Sequence, residues 1–171
     1  MHSKEIEHEF PFAWEHLVEV REMRYLKPEL WQEVQSLEEK ERTLQQGVLT
    51  VRRTIRLKNE LPPMVRRYLD IEILEVDDLV ICDYNKQELK ALAYLETMGG
   101  RICFRQEGWY TPHGKDRSRR RISISAMADI PLAGEFIEKV FLFEFSRRCE
   151  KDRKLIIDLA SGLSRQRLVQ G

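Results

Sequence analysis

The chain has 171 residues, of which 42% are hydrophobic and 34% are charged, and its formal net charge is +0. This length predicts one domain, residues 1–171, with a sizeable core, and the balanced charge gives no overall attraction to nucleic acid or anionic lipid. No apolar run approaches the roughly 20 residues of a membrane span, and the polar first residues do not have the pattern of a secretory signal. Three cysteines without CxxC spacing predict free thiols. We therefore expect a cytoplasmic protein without a metal or a cofactor.

The first part of the chain has the alternating pattern of strands, interrupted by one amphipathic helix. The predicted elements are strands over 5–10, 31–44 and 48–58 and a helix whose first turn contains Pro11 and which ends before Lys27-Pro28. Gln45-Gln46-Gly47 fits a hairpin turn between the last two of these strands, because glycine readily adopts a positive φ. His8 lies on the apolar face of the first strand, where a histidine is typically hydrogen-bonded within the core.

Prolines and turn-forming dipeptides divide the middle of the chain. The segment from Asn59 to Pro63 interrupts the strands, and Pro63 opens a short helix. Strands are then predicted over 71–76, 79–84, 89–98, 101–110 and 117–128, with turns at Asp77-Asp78, Asn85-Lys86, Gly99-Gly100 and 112–115. Short connections between consecutive strands predict an antiparallel meander.

The segment from Pro131 to about Leu168 has the pattern of one long amphipathic helix. Its apolar stripe comprises Ile137, Phe141, Phe145, Cys149, Ile156, Leu159 and Leu163. Residues 136–145 are apolar on all sides, which predicts burial on every side or contact with a ligand, a protein partner or a membrane. Asp152 interrupts the stripe and has two interpretations. It pairs with Arg148 or Lys151 at the margin, or its carboxylate points into a cavity and needs a buried partner.

These elements predict an α+β fold in which a curved antiparallel sheet packs against the long C-terminal helix. The gap between the two layers is either filled by side chains or left as a pocket for a small apolar ligand. The side chains predicted to point into the gap are Ala91, Ala93, Leu95, Ile102, Phe104, Ile122, Ile124 and Ala126. Ala91 and Ala93 are small and would leave room for a ligand, although the same alanines also suit a packed core.

Four segments of the chain resemble the START-related helix-grip superfamily and, within it, the PRELI/MSF1 group. They are His8–Trp14, Arg24–Pro28, Arg52–Pro62 and Phe141–Ile157. The group has a phenylalanine and a proline-tryptophan-like pair where its first strand enters a helix, followed by an arginine-tyrosine-proline-asparagine-proline stretch. It then has a basic and apolar segment that leads to leucine-proline, and a basic, aromatic last helix. The resemblance spans nearly the whole chain and implies a helix-grip fold.

The resemblance also implies a non-enzymatic protein that binds or transfers one hydrophobic molecule, a lipid in particular, between sheet and long helix. Basic residues near the pocket meet the head group in lipid-carrying members. Arg24 matches the arginine of the motif, and Arg147 lies near a basic position of the last helix. Leu57 stands where a lysine is usual, and Gln32 or Glu33 where a histidine is usual, which weakens the implication of an anionic phospholipid. The candidate ligand-binding residues are Arg24, Ala91, Ala93, Leu95, Ile102, Phe104, Ile122, Ile124, Phe141, Phe145, Arg147 and Asp152.

Two positions are open for the side chain of Arg24. In the first, the side chain lies where the pocket narrows, and its guanidinium faces a phosphate or a carboxylate of the ligand. When no ligand is bound, Asp152 or Glu138 of the long helix would pair with it. On the surface it would instead pair with Glu22 or Glu29 and contribute less than about 1 kcal/mol to stability.

Two other classes of function remain open. A cyclase- or hydrolase-like enzyme on the same fold would need a pair of pocket groups with perturbed pKa values. His8, Tyr94, Glu107 and Asp152 are the candidates, and no catalytic signature selects among them. A protein- or ribosome-interaction module would use the arginine run 117–121 together with the apolar first half of the last helix.

Alternation places Arg117, Arg119 and Arg121 on one face of a strand. Pairing with Glu96 or Glu107 on a solvated outer face is the structural interpretation, and phosphate contact is the functional one. No RNA-binding signature accompanies the run, so no nucleic-acid partner is expected. We expect a hydrophobic small molecule or a lipid as the partner, with transient membrane contact as a further expectation.

Overall fold

The computed structural model describes residues 1–69 and 71–170, without the side chains of Pro28 and of residues 164–170. Its strands are β1 (His2–Phe10), β2 (Val34–Gln45), β3 (Val48–Lys58), β4 (Ile73–Asp83), β5 (Glu88–Thr97), β6 (Ile102–Pro112) and β7 (Ser118–Ala128). Its helices are α1 (Trp14–Leu26), α2 (Pro63–Arg66) and α3 (Gly134–Gln170), and a 3-10 turn covers Pro28–Leu30. This turn delays the start of β2, which the sequence predicted at residue 31.

The strands of the described chain form one antiparallel sheet in the order β1-β7-β6-β5-β4-β3-β2. Each strand from β2 to β7 therefore pairs with its neighbour in the chain, as predicted for a meander. β1 adds to the other side of β7, with His2 opposite Ala126 and Phe10 opposite Ser118. α3 crosses the sheet and contacts β7, β1 and α1. The predicted α+β fold, a curved antiparallel sheet packed against a long C-terminal helix, is confirmed.

One predicted turn is wrong, because β4 runs straight through it. Asp77 and Asp78 lie within this strand, opposite Thr54 and Arg53 of β3. Aspartate is common in turns because its short side chain hydrogen-bonds nearby backbone groups. Here the Asp78 side chain is buried instead, and its Oδ2 accepts a hydrogen bond from Nη1 of Arg53 at 3.4 Å. The strand continues through the acidic pair because an arginine on the next strand compensates the inward carboxylate.

The core lies between the sheet and the predicted apolar stripe of α3. Ile137, Phe141 and Ile156 on this stripe are each at most 1% exposed. The first half of α3 is not buried on every side, because Phe143 is 66% exposed and Phe136 is 43% exposed. The outer side of α3 therefore presents apolar surface to solvent within the chain that the structure describes.

α3 begins where its backbone passes very close to β7. A Cβ atom on Gly134 would lie 2.2 Å from the carbonyl oxygen of Ala128, which is part of the sheet backbone. We expect Gly134→Ala to lower the free energy of unfolding by about 1–3 kcal/mol, the usual range for overpacking, as measured by urea denaturation. Gly162→Ala in the same helix is the control. Nothing lies within 4 Å of its added methyl, so it should stabilise by about 0.5–1 kcal/mol. Equal effects of the two substitutions would contradict this explanation.

Candidate functional site

A cavity of about 480 Å³ lies between the sheet and α3. Pockets that take small organic ligands have volumes of about 300–1,000 Å³. Ile55, Val76, Ala91, Ala93, Phe104 and Ile122 of the sheet form its apolar wall together with Phe145 of α3. Leu30, Gln32 and Lys151 are exposed lining residues, so the cavity opens between the segment after α1 and the second half of α3. An ion pair crosses this opening, with Nζ of Lys151 3.7 Å from Oε1 of Glu33.

One end of the cavity is polar because buried arginines line it. Arg21, Arg24 and Arg120 are lining residues, and each is at most 5% exposed. Arg21 and Arg24 are three residues apart in α1, a spacing that places both side chains on the same side of the helix. Buried guanidiniums need partners, since an unpaired charge away from water strongly destabilises a fold. The contacts of these arginines therefore define the polar end.

Asp152 of α3 joins two of these arginines. Its Oδ1 accepts a hydrogen bond from Nη1 of Arg24, and its Oδ2 accepts one from Nη1 of Arg120 at 2.5 Å. Arg120 also donates from Nη2 to the carbonyl oxygen of Cys149 at 3.2 Å. Of the two interpretations of Asp152, the structure supports the second, because its carboxylate lines the cavity and pairs with buried cations. The same contacts place Arg24 in the cavity rather than on the surface.

His8 orients Arg120 from behind the cavity wall. The pKa of His8 is lowered, mainly by burial, so the imidazole is neutral near pH 7. Its Nε2 lies 2.5 Å from Oε1 of Glu150 and donates to this carboxylate. The other ring nitrogen, Nδ1, is then free of a proton and accepts a hydrogen bond from Nη2 of Arg120 at 2.9 Å. The predicted role of His8 as a paired core residue is confirmed.

Arg53 of β3 pairs with the carboxylates of Glu22 and Asp78 on the other side of the polar end. It donates from Nη2 to Oε2 of Glu22 at 2.9 Å and from Nη1 to Asp78 at 3.4 Å. Burial raises the pKa of Asp78, although the nearby guanidiniums of Arg21 and Arg53 oppose this shift. Nη1 of Arg21 lies 3.8 Å from Oε1 of Glu22, which is too far for a hydrogen bond. Arg21 is therefore not hydrogen-bonded to Glu22, and its closest partners are tyrosines.

Two tyrosines complete the polar end. The guanidinium carbon of Arg21 lies 5.2 Å from the ring centroids of both Tyr25 and Tyr110, within the range of cation–π contacts. Nη2 of Arg21 also donates to the Tyr25 hydroxyl at 3.1 Å. Burial alone would raise the pKa of Tyr110, but three guanidiniums, those of Arg21, Arg120 and Arg24, outweigh burial and lower it to about 7. The cavity thus contains a phenol that titrates near neutral pH.

Only some of the candidate ligand-binding residues line the cavity. The residues that line the cavity are Arg24, Ala91, Ala93, Phe104, Ile122, Phe145 and Asp152. Leu95, Ile102, Ile124 and Phe141 are instead buried in the core beside it. The Phe104 ring centroid lies 3.7 Å from that of Phe145 and 6.4 Å from that of Phe141. Phe141 does not line the cavity, because packed side chains fill the gap at that end.

Arg147, another candidate ligand-binding residue, also lies outside the cavity. Its side chain is exposed and donates from Nη2 to Oε2 of Glu144 at 2.8 Å. Successive residues of a helix are about 100° apart, so a shift of one residue turns a side chain away from the sheet. The basic residue that lines the cavity is the next one, Arg148, whose guanidinium carbon lies 5.1 Å from the centroid of the Phe145 ring.

Two candidates of the enzyme hypothesis lie outside the cavity. The Tyr94 hydroxyl donates to Oε2 of Glu96 at 2.6 Å, and Glu107 pairs with Arg105. Neither Tyr94 nor Glu107 is a lining residue. Of the four residues considered, Asp152 alone contributes to the cavity wall, and His8 contacts that wall through Arg120.

The arginine run divides between the two faces of β7. The outward side chains pair with carboxylates of β1, Arg117 with Glu9, and Arg119 and Arg121 with Glu7. This confirms their predicted place on the outer face, while the predicted partners Glu96 and Glu107 are wrong. β1 rather than β5 or β6 supplies the carboxylates, because the outer edge of β7 pairs with β1.

Sequence reasoning missed most residues of the polar end, among them Arg21, Arg120 and Tyr110. Alternation along β7 could have found Arg120, because it lies two residues before the inward Ile122. Helical spacing could have found Arg21, which lies three residues before Arg24. No sequence pattern indicated the surroundings of Tyr110, since its guanidinium neighbours come from α1 and β7.

No protein-family model matches the chain, and no curated protein is significantly similar to it in sequence. Solved structures match over nearly its whole length. A protein of Thermus thermophilus has a TM-score of 0.63 at 17% identity, over 95% of this chain and 99% of that one. A Streptomyces aromatase/cyclase has a TM-score of 0.61 at 12% identity, over 94% of each chain. A START superfamily protein of Mycobacterium smegmatis has a TM-score of 0.60 at 11% identity, over 95% and 99%.

The chain has the helix-grip fold. Enzymes share this fold, since norcoclaurine synthase of Thalictrum flavum, in complex with dopamine and hydroxybenzaldehyde, matches with a TM-score of 0.52. That match has 14% identity and covers 96% of this chain and 88% of the synthase. Sequence identities this low establish only the fold. The function must therefore be inferred from the residues that line the cavity. No helix of the described residues is long and apolar enough to cross a membrane.

Proposed function

We propose that this helix-grip protein binds a hydrophobic ligand of the lipid class between the sheet and α3, and carries it without chemical change. The observation that supports this most directly is a cavity of about 480 Å³ with an apolar wall and an opening to solvent. The same two layers are fully packed at Ile102 and Phe141, so the open space is a local feature of this fold.

The small side chains of β5 account for the space. Leu89 and Leu95 are almost completely buried, and between them the inward positions of the strand are Ala91 and Ala93. Unfilled apolar space lowers stability in proportion to its volume. Larger side chains at these alanines would remove that cost, so the space is better explained by a ligand that occupies it.

Ala93→Leu is expected to weaken binding of an apolar ligand by about tenfold or more. The added carbons would occupy part of the cavity, and each methylene of the ligand displaced from it costs about 0.8 kcal/mol of binding free energy. Titration with the neutral fluorescent probe N-phenylnaphthylamine measures the change. Ser123→Leu is the matched control, because it places the same side chain on the outer face of β7. Equal weakening by both variants would contradict the assignment of the cavity as the binding site.

Extraction and native mass spectrometry of the purified protein identify any ligand it retains, and transfer between liposomes tests carriage. The resemblance to the PRELI/MSF1 group implies in addition that the protein moves its ligand between membranes. The transfer assay tests this part of the proposal. The absence of a retained ligand, together with a failure to bind the fluorescent probe, would refute the proposed function.

The lowered pKa of Tyr110 favours a second candidate function, that of a cyclase- or hydrolase-like enzyme. A phenol whose pKa is about 7 suits general acid–base catalysis, and Asp152 lines the same cavity. Recovery of the extracted ligand unchanged after incubation with the protein supports carriage. Conversion of that ligand, abolished in Tyr110→Phe, would support the enzyme instead. The interaction module has less support, since Arg119 and Arg121 already pair with Glu7.

A further inference from the structure

One uncharged polar side chain stands within the apolar wall of the cavity. Gln106 lies on the inward face of β6, two residues after the inward Phe104, and lines the cavity. In the sheet it is opposite Ala93 of β5 and Ile124 of β7. Directly opposite residues of an antiparallel sheet are neighbours on the same face. The strand pairing therefore places an amide group next to the small side chain of Ala93, which leaves the cavity open.

The amide of Gln106 has unused hydrogen-bonding capacity that a ligand can reach. Its Oε1 accepts only a weak hydrogen bond, from Sγ of Cys149 at 3.9 Å. Its Nε2 has no acceptor in the described part of the chain, and this nitrogen is not among the fully buried atoms. Gln106 is partly exposed although Phe104 and Gly108, its neighbours on the same face of β6, are buried. The accessible part of the amide therefore faces the cavity.

This amide distinguishes between hydrophobic ligands. A plain hydrocarbon that covers Gln106 would displace water from the amide and leave both of its N–H donors without an acceptor, which is unfavourable. A ligand with an oxygen at the same place would accept a hydrogen bond and avoid this cost. The thiol of Cys149 stays protonated because burial raises its pKa, so it donates to Oε1 and leaves the N–H donors for the ligand.

We infer that Gln106 determines specificity by donating from Nε2 to a carbonyl or hydroxyl oxygen within the apolar body of the ligand. This inference rests on the proposed function and adds the ligand class, hydrophobic molecules that carry an oxygen part-way along their length. Gln106 lies four residues before Tyr110 in β6, which is about 13 Å at the rise of a strand. The oxygen that it binds is therefore distinct from any group of the ligand at the polar end.

Fluorene and 9-fluorenone test the inference, because they share one rigid ring system and differ in a methylene and a carbonyl group. Displacement of N-phenylnaphthylamine gives both affinities, and their ratio is compared between the unmodified protein and Gln106→Met. Methionine keeps an unbranched side chain of similar length without the amide. The preference for the ketone over fluorene is expected to fall about tenfold, since the ketone loses a hydrogen bond and fluorene no longer covers an unsatisfied amide. Gln45→Met is the matched control at an exposed glutamine of β2, and it should leave the ratio unchanged.

The infrared carbonyl stretch of bound 9-fluorenone gives a second readout, which the unmodified protein alone provides. A hydrogen bond from Gln106 lowers this frequency relative to that in an apolar solvent, and Gln106→Met should raise it again. An unshifted frequency in the unmodified protein would overturn the inference and leave the proposed function intact. The same holds for an affinity ratio that Gln106→Met does not change. If the probe and both ligands fail to bind the unmodified protein, the proposed function itself is refuted.

Discussion

Asp152→Ala is expected to lower the free energy of unfolding by about 3 kcal/mol. The carboxylate is the shared partner of Arg24 and Arg120, which are 5% and 1% exposed, so its removal leaves two buried charges uncompensated. Loss of one partner of a buried ion pair typically costs about 3–5 kcal/mol. The lower end applies because the Asp152 side chain lines an open cavity and is 23% exposed. Urea denaturation of the ligand-free protein measures the effect.

Two variants of α3 serve as comparisons. Asp152→Asn keeps an oxygen acceptor for one of the two arginines and should destabilise the fold less than the alanine variant. Glu135→Ala removes a carboxylate whose partner, Lys139, is exposed like Glu135 itself, so the unfolding curve should hardly move. If Asp152→Ala behaved like Glu135→Ala, water rather than Asp152 would be compensating the two guanidiniums.

Binding of an anionic amphiphile such as dodecanoate is expected to weaken above about pH 7, by up to tenfold per pH unit. The charged groups that face Tyr110 are Arg21 and Arg24 of α1 and Arg120 of β7, with Asp78 of β4 next to Arg21. When Tyr110 ionises, its phenolate competes with the ligand anion for the same guanidiniums. Binding therefore raises the pKa of Tyr110 from about 7, and the complex takes up a proton. Titrations between about pH 7 and 9 measure this dependence.

The stability of the ligand-free protein should change in the opposite direction. The pKa of Tyr110 is about 7 in the folded chain and about 10 when unfolded, so folding favours the phenolate. The free energy of unfolding then rises with pH between about 7 and 10, by at most about 1.4 kcal/mol per unit, and this contribution is lost as pH falls through 7. Tyr110→Phe should remove both dependences and the tyrosinate absorbance that appears near pH 7. Retention of either dependence in that variant would contradict the role of Tyr110.

The parts of the fold that repeat a local pattern could be predicted from the sequence. The alternation of apolar and polar residues predicted the observed bounds of β3. The helical spacing of Ile137 and Phe141 predicted which side of α3 is buried. Asp78 was misplaced because its preference for turns is local, whereas its buried partner lies on another strand. Whether a gap is filled depends on the summed volumes of facing side chains, which is why Phe141 was wrongly assigned to the cavity wall.

The polar end was harder to predict because its members are polar residues in apolar positions. Such residues are stable only through partners from distant segments, and a pattern within one segment does not reveal them. Asp152 could be recognised because it interrupts an otherwise apolar stripe. Arg120 stood inside a run of arginines whose alternate members are solvated, so its inward direction was hidden by its neighbours.

The pairing of β1 with β7 determines when the polar end of the cavity is completed during folding. His8 and Arg120 are in contact although they are 112 residues apart in sequence, and Asp152 is contributed by the helix that follows β7. Contacts of such long range form slowly, because the intervening chain must be ordered before they are made. During synthesis, the strands of the meander can pair one after another while Arg24 of α1 still lacks the carboxylate of Asp152. We therefore expect the polar end of the cavity to be complete only after α3 has docked on the sheet.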